Sequence, residues 1–107
     1  MTEIRTKNFE AKDVFNSATA MPLKNAIGQV LPITALWICE RPDADGVAQV
    51  VCNFKTQDGT IYGTISETVI RSAVALPEML DVMPVVEVKV EERAGNKGRS
   101  YLVMQLV

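Results

Sequence analysis

Two segments near the end of the chain alternate apolar and polar residues with a period of two, and this alternation limits the fold more than any other feature. Residues 85–91 read VVEVKVE and residues 99–107 read RSYLVMQLV. Successive side chains of a β-strand point to opposite faces, so both segments are predicted to be half-buried strands. They are predicted to fold back around Asn96 with Val90 opposite Leu102, because this register collects the large apolar side chains on one face.

A second hairpin is predicted around the Asp-Gly dipeptide at positions 58 and 59. Residues 50–56 and 60–66 are rich in β-forming residues, and the dipeptide supplies the positive φ angles of a tight turn. Pairing about this turn sets Phe54 against Gly63 on the inner face of the sheet. The outer face then carries two neighbouring pairs, Asn53 beside Thr64 and Lys55 beside Tyr62.

One more strand and one helix complete the predicted order. Residues 29–41 are rich in β-formers, but they are apolar on both faces, so periodicity does not define their register. Ser66 is predicted to cap a helix that Pro77 ends or kinks. The resulting β-β-β-α-β-β order is that of the OB-fold, a mainly β, five-stranded, partly open barrel with one helix between strands three and four. The alternative is a generic α+β sheet. Residues 1–27 are predicted to form an N-terminal arm that packs on the barrel or on a neighbouring subunit, and residues 28–107 form the OB-fold domain.

The composition argues against an enzyme and against a membrane protein. The chain of 107 residues has no histidine and two cysteines, so it lacks the usual ligands of zinc and the usual base of a nucleophilic triad. No catalytic residue, metal or cofactor is therefore expected. Cys39 and Cys52 are expected to be buried free thiols in a reducing compartment. The chain has no apolar run of transmembrane length and no signal-peptide pattern at its start, so a cytoplasmic location is expected.

A basic cluster stands at the tip of the last predicted hairpin. The net charge of the chain is −2, yet residues 93–99 hold three cations, Arg93, Lys97 and Arg99, and no acid. Local positive charge can bind an anionic polymer even when the total charge is negative. The alternative is an ordinary polar turn whose charges are solvated.

Three stretches carry a family resemblance: PLKNAIGQ at 22–29, DGTIYGTISETVI at 58–70 and KGRSYLVMQLV at 97–107. In their order and spacing they resemble the small single-stranded-DNA-binding proteins encoded by phages and plasmids of Gram-positive bacteria. The resemblance spans roughly residues 13–107. It implies a non-catalytic OB-fold protein that coats and protects exposed single strands, independent of sequence, during DNA replication or recombination in the host cytoplasm. It leaves open a homodimer and contacts with replication or recombination proteins.

Binding a single strand without reading its sequence requires aromatic surfaces for the bases and cations for the phosphates. Tyr62 is the predicted stacking residue, with Lys55 at the adjoining phosphate; the other interpretation is a surface tyrosine that shields the sheet. Asn53 and Thr64 are predicted to contact base edges or sugars. Tyr101, beside the basic tip, is predicted either to stack on a base or to cover the sheet.

Trp37 has two alternative positions. If Cys39 pairs with Cys52, Trp37 faces Phe54 and lies in the core. If the pairing shifts by one residue, Trp37 lies outside beside Asn53 and extends the stacking surface. The register of its strand decides between them.

A second class of function also fits the predicted fold. A structural or assembly barrel would use its open sheet edges and its apolar arm residues to contact protein partners. Phe9, Val14 and Phe15 are the apolar residues of that arm. An oligomer whose contact surface covers Lys55 and Tyr62 would favour this interpretation.

Overall fold

The fold is a curled, half-barrel β-sheet of seven strands with three short α-helices, in a computed structural model that describes residues 2–107. The strands are β1 (Thr2–Lys7), β2 (Met21–Pro22), β3 (Val30–Pro42), β4 (Ala48–Thr56), β5 (Ile61–Thr64), β6 (Val86–Ala94) and β7 (Ser100–Leu106). The helices are α1 (Ala11–Asn16), α2 (Glu67–Ala73) and α3 (Leu76–Val82). The prediction of a mainly β fold is confirmed.

The predicted strand and helix counts are wrong. The N-terminal segment supplies two additional strands, because β1 pairs with β3 and β2 pairs with β5. Ser66 does cap α2, and its hydroxyl accepts a hydrogen bond from the Val69 N–H at 3.4 Å. Pro77, however, lies in the first turn of a further helix, α3, where proline is tolerated because its missing N–H has no partner within the helix. Two helices therefore separate β5 from β6.

The central strand of the sheet is β3, and the strand order is β2-β5-β4-β3-β6-β7. One edge of β3 pairs with β4 between Ile33 and Pro42. The other edge is shared, since β6 pairs with residues 30–33 and β1 with residues 36–40. In this way the N-terminal segment completes the edge of the sheet that β6 leaves unpaired.

A register shift between Ile33 and Ala35 explains why β3 is apolar on both faces. An extra residue in one strand reverses the alternation of side chains beyond it. Ile33 before the shift and Leu36 after it therefore both point into the main core around Phe54. Trp37 and Cys39 point to the opposite face, where they form a second, smaller apolar cluster with Val51 and Phe9.

The β4–β5 hairpin differs from the prediction by one residue. Its loop has three residues, Gln57 to Gly59, and Phe54 lies opposite Tyr62 rather than Gly63. Only Gly59 has a positive φ angle there, whereas a two-residue type I′ turn needs two such residues. The carboxylate of Asp58 secures the wider loop by accepting hydrogen bonds from the Thr60 N–H and the Thr56 hydroxyl.

The β6–β7 hairpin forms as predicted, but with its register shifted by two residues. Val90 lies opposite Met104, and Arg93 lies opposite Tyr101. The loop is longer than expected, since residues 95–99 lie between the paired Ala94 and Ser100, and Lys97 within it takes a left-handed conformation with φ of 59°. A shift of two keeps every side chain on its predicted face, since the side-chain period of a strand is two.

Both cysteines are buried free thiols, as predicted. Burial raises the pKa of the Cys39 thiol and of the Cys52 thiol. The thiols lie on opposite faces of the sheet, because Cys52 belongs to the main core and Cys39 to the cluster around Trp37. No helix within residues 2–107 has both the length and the apolar character needed to cross a bilayer.

Candidate nucleic-acid interface

A cleft of about 360 Å³ lies where the N-terminal segment meets the sheet, and it is called the arm cleft below. Residues 17–24 form one side of it, except Thr19 and Met21. The remaining walls come from four strands: Arg41 of β3, Val51 and Asn53 of β4, Gly63 and Thr64 of β5 with the following Ile65, and Leu102 of β7. The arm cleft is therefore built from parts of the chain that are distant in sequence.

A second depression, of about 480 Å³, continues from the arm cleft towards the last hairpin and is called the tip cleft. The two clefts share four lining residues: Lys24, Thr64, Ile65 and Leu102. Ser100 and Tyr101 line the tip cleft from β7, and the acidic side chains Glu67 and Glu92 line it as well. Together the clefts form a continuous surface from Arg41 to the base of the hairpin.

Four cations on or beside this surface are not neutralised by a neighbour. Of the lysines and arginines, the four that form no ion pair with any residue in the range 2–107 are Lys24, Arg41, Lys97 and Arg99. Lys24 and Arg41 line the arm cleft, and Lys97 and Arg99 lie at the hairpin tip. The cations without an ion-pair partner thus form two pairs, one in the arm cleft and one at the hairpin tip, in a chain whose net charge is −2.

Tyr101 is an exposed aromatic residue at this same end of the molecule. Its side chain is 43% exposed, and its strand position is opposite Arg93. A Cβ atom added to Gly95 would lie 3.3 Å from the Tyr101 ring, so the absence of a side chain at position 95 lets the ring lie against the hairpin loop. Arg93 is itself 3.9 Å from the Glu91 carboxylate, which partly offsets its charge. The predicted grouping of Tyr101 with the basic tip is therefore present.

Lys55, which was predicted to lie at a phosphate, is paired with an acid of the N-terminal segment. Its ammonium lies 3.0 Å from one carboxylate oxygen of Asp13 and 3.2 Å from the other. Burial alone would raise the pKa of Asp13, but the hydrogen bond from the Glu10 N–H and the contact with Lys55 outweigh it and lower that pKa. Asp13 in α1 thus holds Lys55 against the sheet.

The predicted positions of the two remaining aromatic residues are also corrected. Tyr62 was expected outside the barrel beside Lys55, but it lies opposite Phe54 and is half-buried against the main core, because the β4–β5 loop has one residue more than expected. Trp37 does lie opposite Asn53, the outer of its two alternative positions. It is nevertheless only 5% exposed, since the ring of Phe9 stacks on it with centroids 5.8 Å apart. The Trp37 ring is therefore covered, and the Tyr62 ring is only partly exposed.

Asn53 and Thr64 both line the arm cleft, although they are not the neighbours that the sequence predicted. Asn53 lies opposite Gly63, and Thr64 lies opposite Cys52. Asn53 is only 1% exposed, and its Nδ2 is the one buried side-chain nitrogen or oxygen in residues 2–107 that has no hydrogen-bond partner. The Thr64 hydroxyl accepts a hydrogen bond from the Ser66 N–H at 3.1 Å.

Sequence reasoning did not select Lys24 or Arg41. Lys24 could contact the backbone of a bound strand, but it was expected to be solvated because Glu10 and Asp13 lie among the lysines of the N-terminal segment. Arg41 stands at the end of a strand whose register was undefined. No local sequence pattern indicates whether a cation will lack an ion-pair partner after folding. Both residues become candidates only when the N-terminal segment is seen to lie along β5.

No protein-family model, no curated protein and no solved structure matches this chain.

Proposed function

We propose that this protein is a sequence-independent single-stranded-DNA-binding protein that coats and protects exposed strands during phage or plasmid DNA replication or recombination. One observation carries the proposal: the four cations without ion-pair partners are grouped on and beside the joined clefts, next to the exposed ring of Tyr101. Phosphates require such cations, and bases require such a ring.

The proposal includes an open OB-fold formed by β3 to β7. These five strands follow one another in the order β-β-β-α-β-β once α2 and α3 are taken as one helical connection. The OB-fold binds oligonucleotides on its second and third strands and on the loops beside them. Here those strands are β4 and β5, and both contribute walls to the arm cleft. The residues that line the arm cleft therefore support the assignment of an OB-fold.

The DNA path differs from the one expected from sequence. Phe9, Asp13 and Ala20 cover the outer face of the sheet at Trp37, Lys55 and Gly63. The bound DNA strand would instead run from Arg41 and Lys24 along the clefts to Tyr101 and the hairpin tip. Glu67 and Glu92 repel phosphate there, so the bases would face these side chains and the phosphates would follow the cations.

The test is the fluorescence anisotropy of a labelled oligothymidine, titrated at two salt concentrations beside a matched duplex. Tyr101→Ala should weaken binding by at least fivefold, since each stacked base contributes about 1–3 kcal/mol. Lys97→Glu should weaken binding and make it less sensitive to salt. Lys89→Glu is the matched control, because Lys89 lines neither cleft and the substitution changes the net charge equally.

Two outcomes would contradict the proposal. One is the absence of any anisotropy change with micromolar protein at low salt. The other is an equal loss of affinity in Lys89→Glu and Lys97→Glu, which would mean that only the total charge matters.

A second candidate function is a structural or assembly component that contacts protein partners, including a second copy of the chain. The observation that favours it is an apolar depression lined by Met79, Met83, Leu106 and Val107. Leu106 is 58% exposed and Val107 is 76% exposed. Leu106→Lys should then abolish any concentration-dependent dimer seen by light scattering, without changing the affinity for oligothymidine.

A further inference from the structure

One residue that lines the arm cleft carries a buried hydrogen-bond donor that the folded chain leaves unused. Asn53 lines the cleft from β4, and its Nδ2 is buried without a partner among residues 2–107. A buried donor without a partner destabilises the fold. Because the other buried side-chain groups within residues 2–107 have partners, this cost points to a partner that arrives from outside.

The other residues that line the arm cleft limit the chemical class of ligand that it can bind. Pro22, Ile65 and Leu102 provide accessible apolar surface, which suits the faces of a ring rather than a sugar. Lys24 and Arg41 provide two cations without ion-pair partners, which suit an anionic group. A single site thus combines apolar walls, a donor and positive charge.

We infer that the arm cleft is a mononucleotide subsite, in which a nucleobase lies between the apolar walls and its phosphate contacts Lys24 and Arg41. Asn53 Nδ2 donates a hydrogen bond to an acceptor on the base edge. Because Nδ2 is buried in the free protein, the carboxamide has to rotate about its terminal torsion, which has a broad energy profile, for Nδ2 to reach the cleft. For a bound DNA strand, this inference rests on the proposed function, and it adds that one nucleotide is held by a hydrogen bond at its base edge as well as by the apolar walls.

Gly63 and Ala20 explain how Asn53 is placed for this role. A Cβ atom on Gly63 would lie 3.3 Å from Asn53 Oδ1 and 3.5 Å from the Cβ of Ala20. The glycine therefore leaves room for the carboxamide between β5 and the N-terminal segment. Without it, Asn53 would have to shift within a tightly packed region.

The test begins with wild-type protein and three small probes: thymidine 5′-monophosphate, thymidine, and deoxyribose 5-phosphate. Binding is followed by NMR through the side-chain amide signal of Asn53. The monophosphate should shift this signal and should bind at least fivefold more tightly than either probe that lacks the phosphate or the base. Lys24→Gln should lower its affinity about threefold to tenfold, whereas Lys89→Gln should not change it.

A second set of titrations, with oligothymidine, separates the mononucleotide subsite from the proposed function. Asn53→Leu should lower the affinity for oligothymidine about fivefold to tenfold, the effect of one hydrogen bond, without changing its salt dependence. If this variant does not fold, Lys24→Gln and the wild-type amide signal serve in its place.

Three outcomes distinguish the mononucleotide subsite from the proposed function. Strand binding with no shift of the Asn53 signal by the strand or the monophosphate would overturn the subsite and leave the proposed function intact. Monophosphate binding without strand binding would support a site for free nucleotides and would refute the proposed function. Binding of deoxyribose 5-phosphate as tightly as the monophosphate would overturn the subsite, because the base would then contribute nothing.

Discussion

The ion pair between Asp13 and Lys55 links α1 to the sheet, and Asp13→Asn is the substitution that tests its strength. The Asp13 side chain is 3% exposed and the Lys55 side chain is 22% exposed. Asparagine keeps the shape of the side chain but removes its charge. The Glu10 N–H, which donates to Asp13 at 2.9 Å, can still donate to the amide oxygen. The substitution therefore isolates the loss of the charge.

The expected cost follows from the burial of the two partners. Removing one partner from a fully buried pair costs about 3–5 kcal/mol, whereas an exposed pair contributes about 0–1 kcal/mol. Here the carboxylate is buried, but the ammonium can recover part of its hydration. We expect Asp13→Asn to lower the free energy of unfolding by about 2 kcal/mol, between these limits.

Urea unfolding at pH 7 measures this loss, with Lys55→Met and the double variant completing a double-mutant cycle. The coupling between the two positions should be at least about 1 kcal/mol. A loss below about 0.5 kcal/mol, or a coupling near zero, would refute the assignment of the ion pair as the link between α1 and the sheet.

The pH dependence provides an independent check on the same residue. The pKa of Asp13 is lowered in the folded state below the ordinary value of an aspartate, because the Glu10 N–H and Lys55 outweigh the effect of burial. The unfolded chain then binds the proton more tightly than the folded chain, so the stabilisation is complete above the unfolded pKa and is lost as the pH falls through the folded pKa. The stability advantage of wild type over Asp13→Asn should therefore be constant near pH 7 and should shrink below about pH 4.

Two further predictions concern the outer face of the sheet. Phe9→Ala should shift the fluorescence emission of Trp37 to longer wavelength and lower the free energy of unfolding by about 1–3 kcal/mol, because it removes the stacked ring that covers the indole. An unchanged emission maximum would contradict this contact. Asn53→Leu should raise the midpoint of urea unfolding by the equivalent of about 1 kcal/mol, since it removes an unsatisfied buried donor; a large destabilisation would show that Nδ2 has a partner in solution.

Local patterns were sufficient for several elements of this fold. The alternation in residues 85–107 predicted β6, β7 and the face that each side chain takes, because a strand's period depends only on its own sequence. Ser66 predicted the start of α2, because an N-cap bond spans only three residues. The grouping of Tyr101 with three cations was also predictable, since the hairpin brings these neighbours in sequence together.

The positions of Tyr62, Lys55 and Trp37 depended on interactions that no local pattern contains. One additional loop residue after Thr56 turned Tyr62 to the core. A register shift near Thr34 placed Trp37 outside, and Phe9 then covered it from a strand-flanking segment far away in sequence. Loop length and long-range packing settle such positions jointly, because a change of one residue exchanges the two faces of a strand.

The amino-acid sequence by itself determined a mainly β chain with free thiols, a capped helix and a basic hairpin tip. Only the tertiary structure decided which cations remain without partners and which polar group lies buried at the arm cleft. The physical reason is range: periodicity, capping and turn chemistry act over a few residues, whereas the pairing of charges and the closing of a cleft depend on segments that meet only after folding.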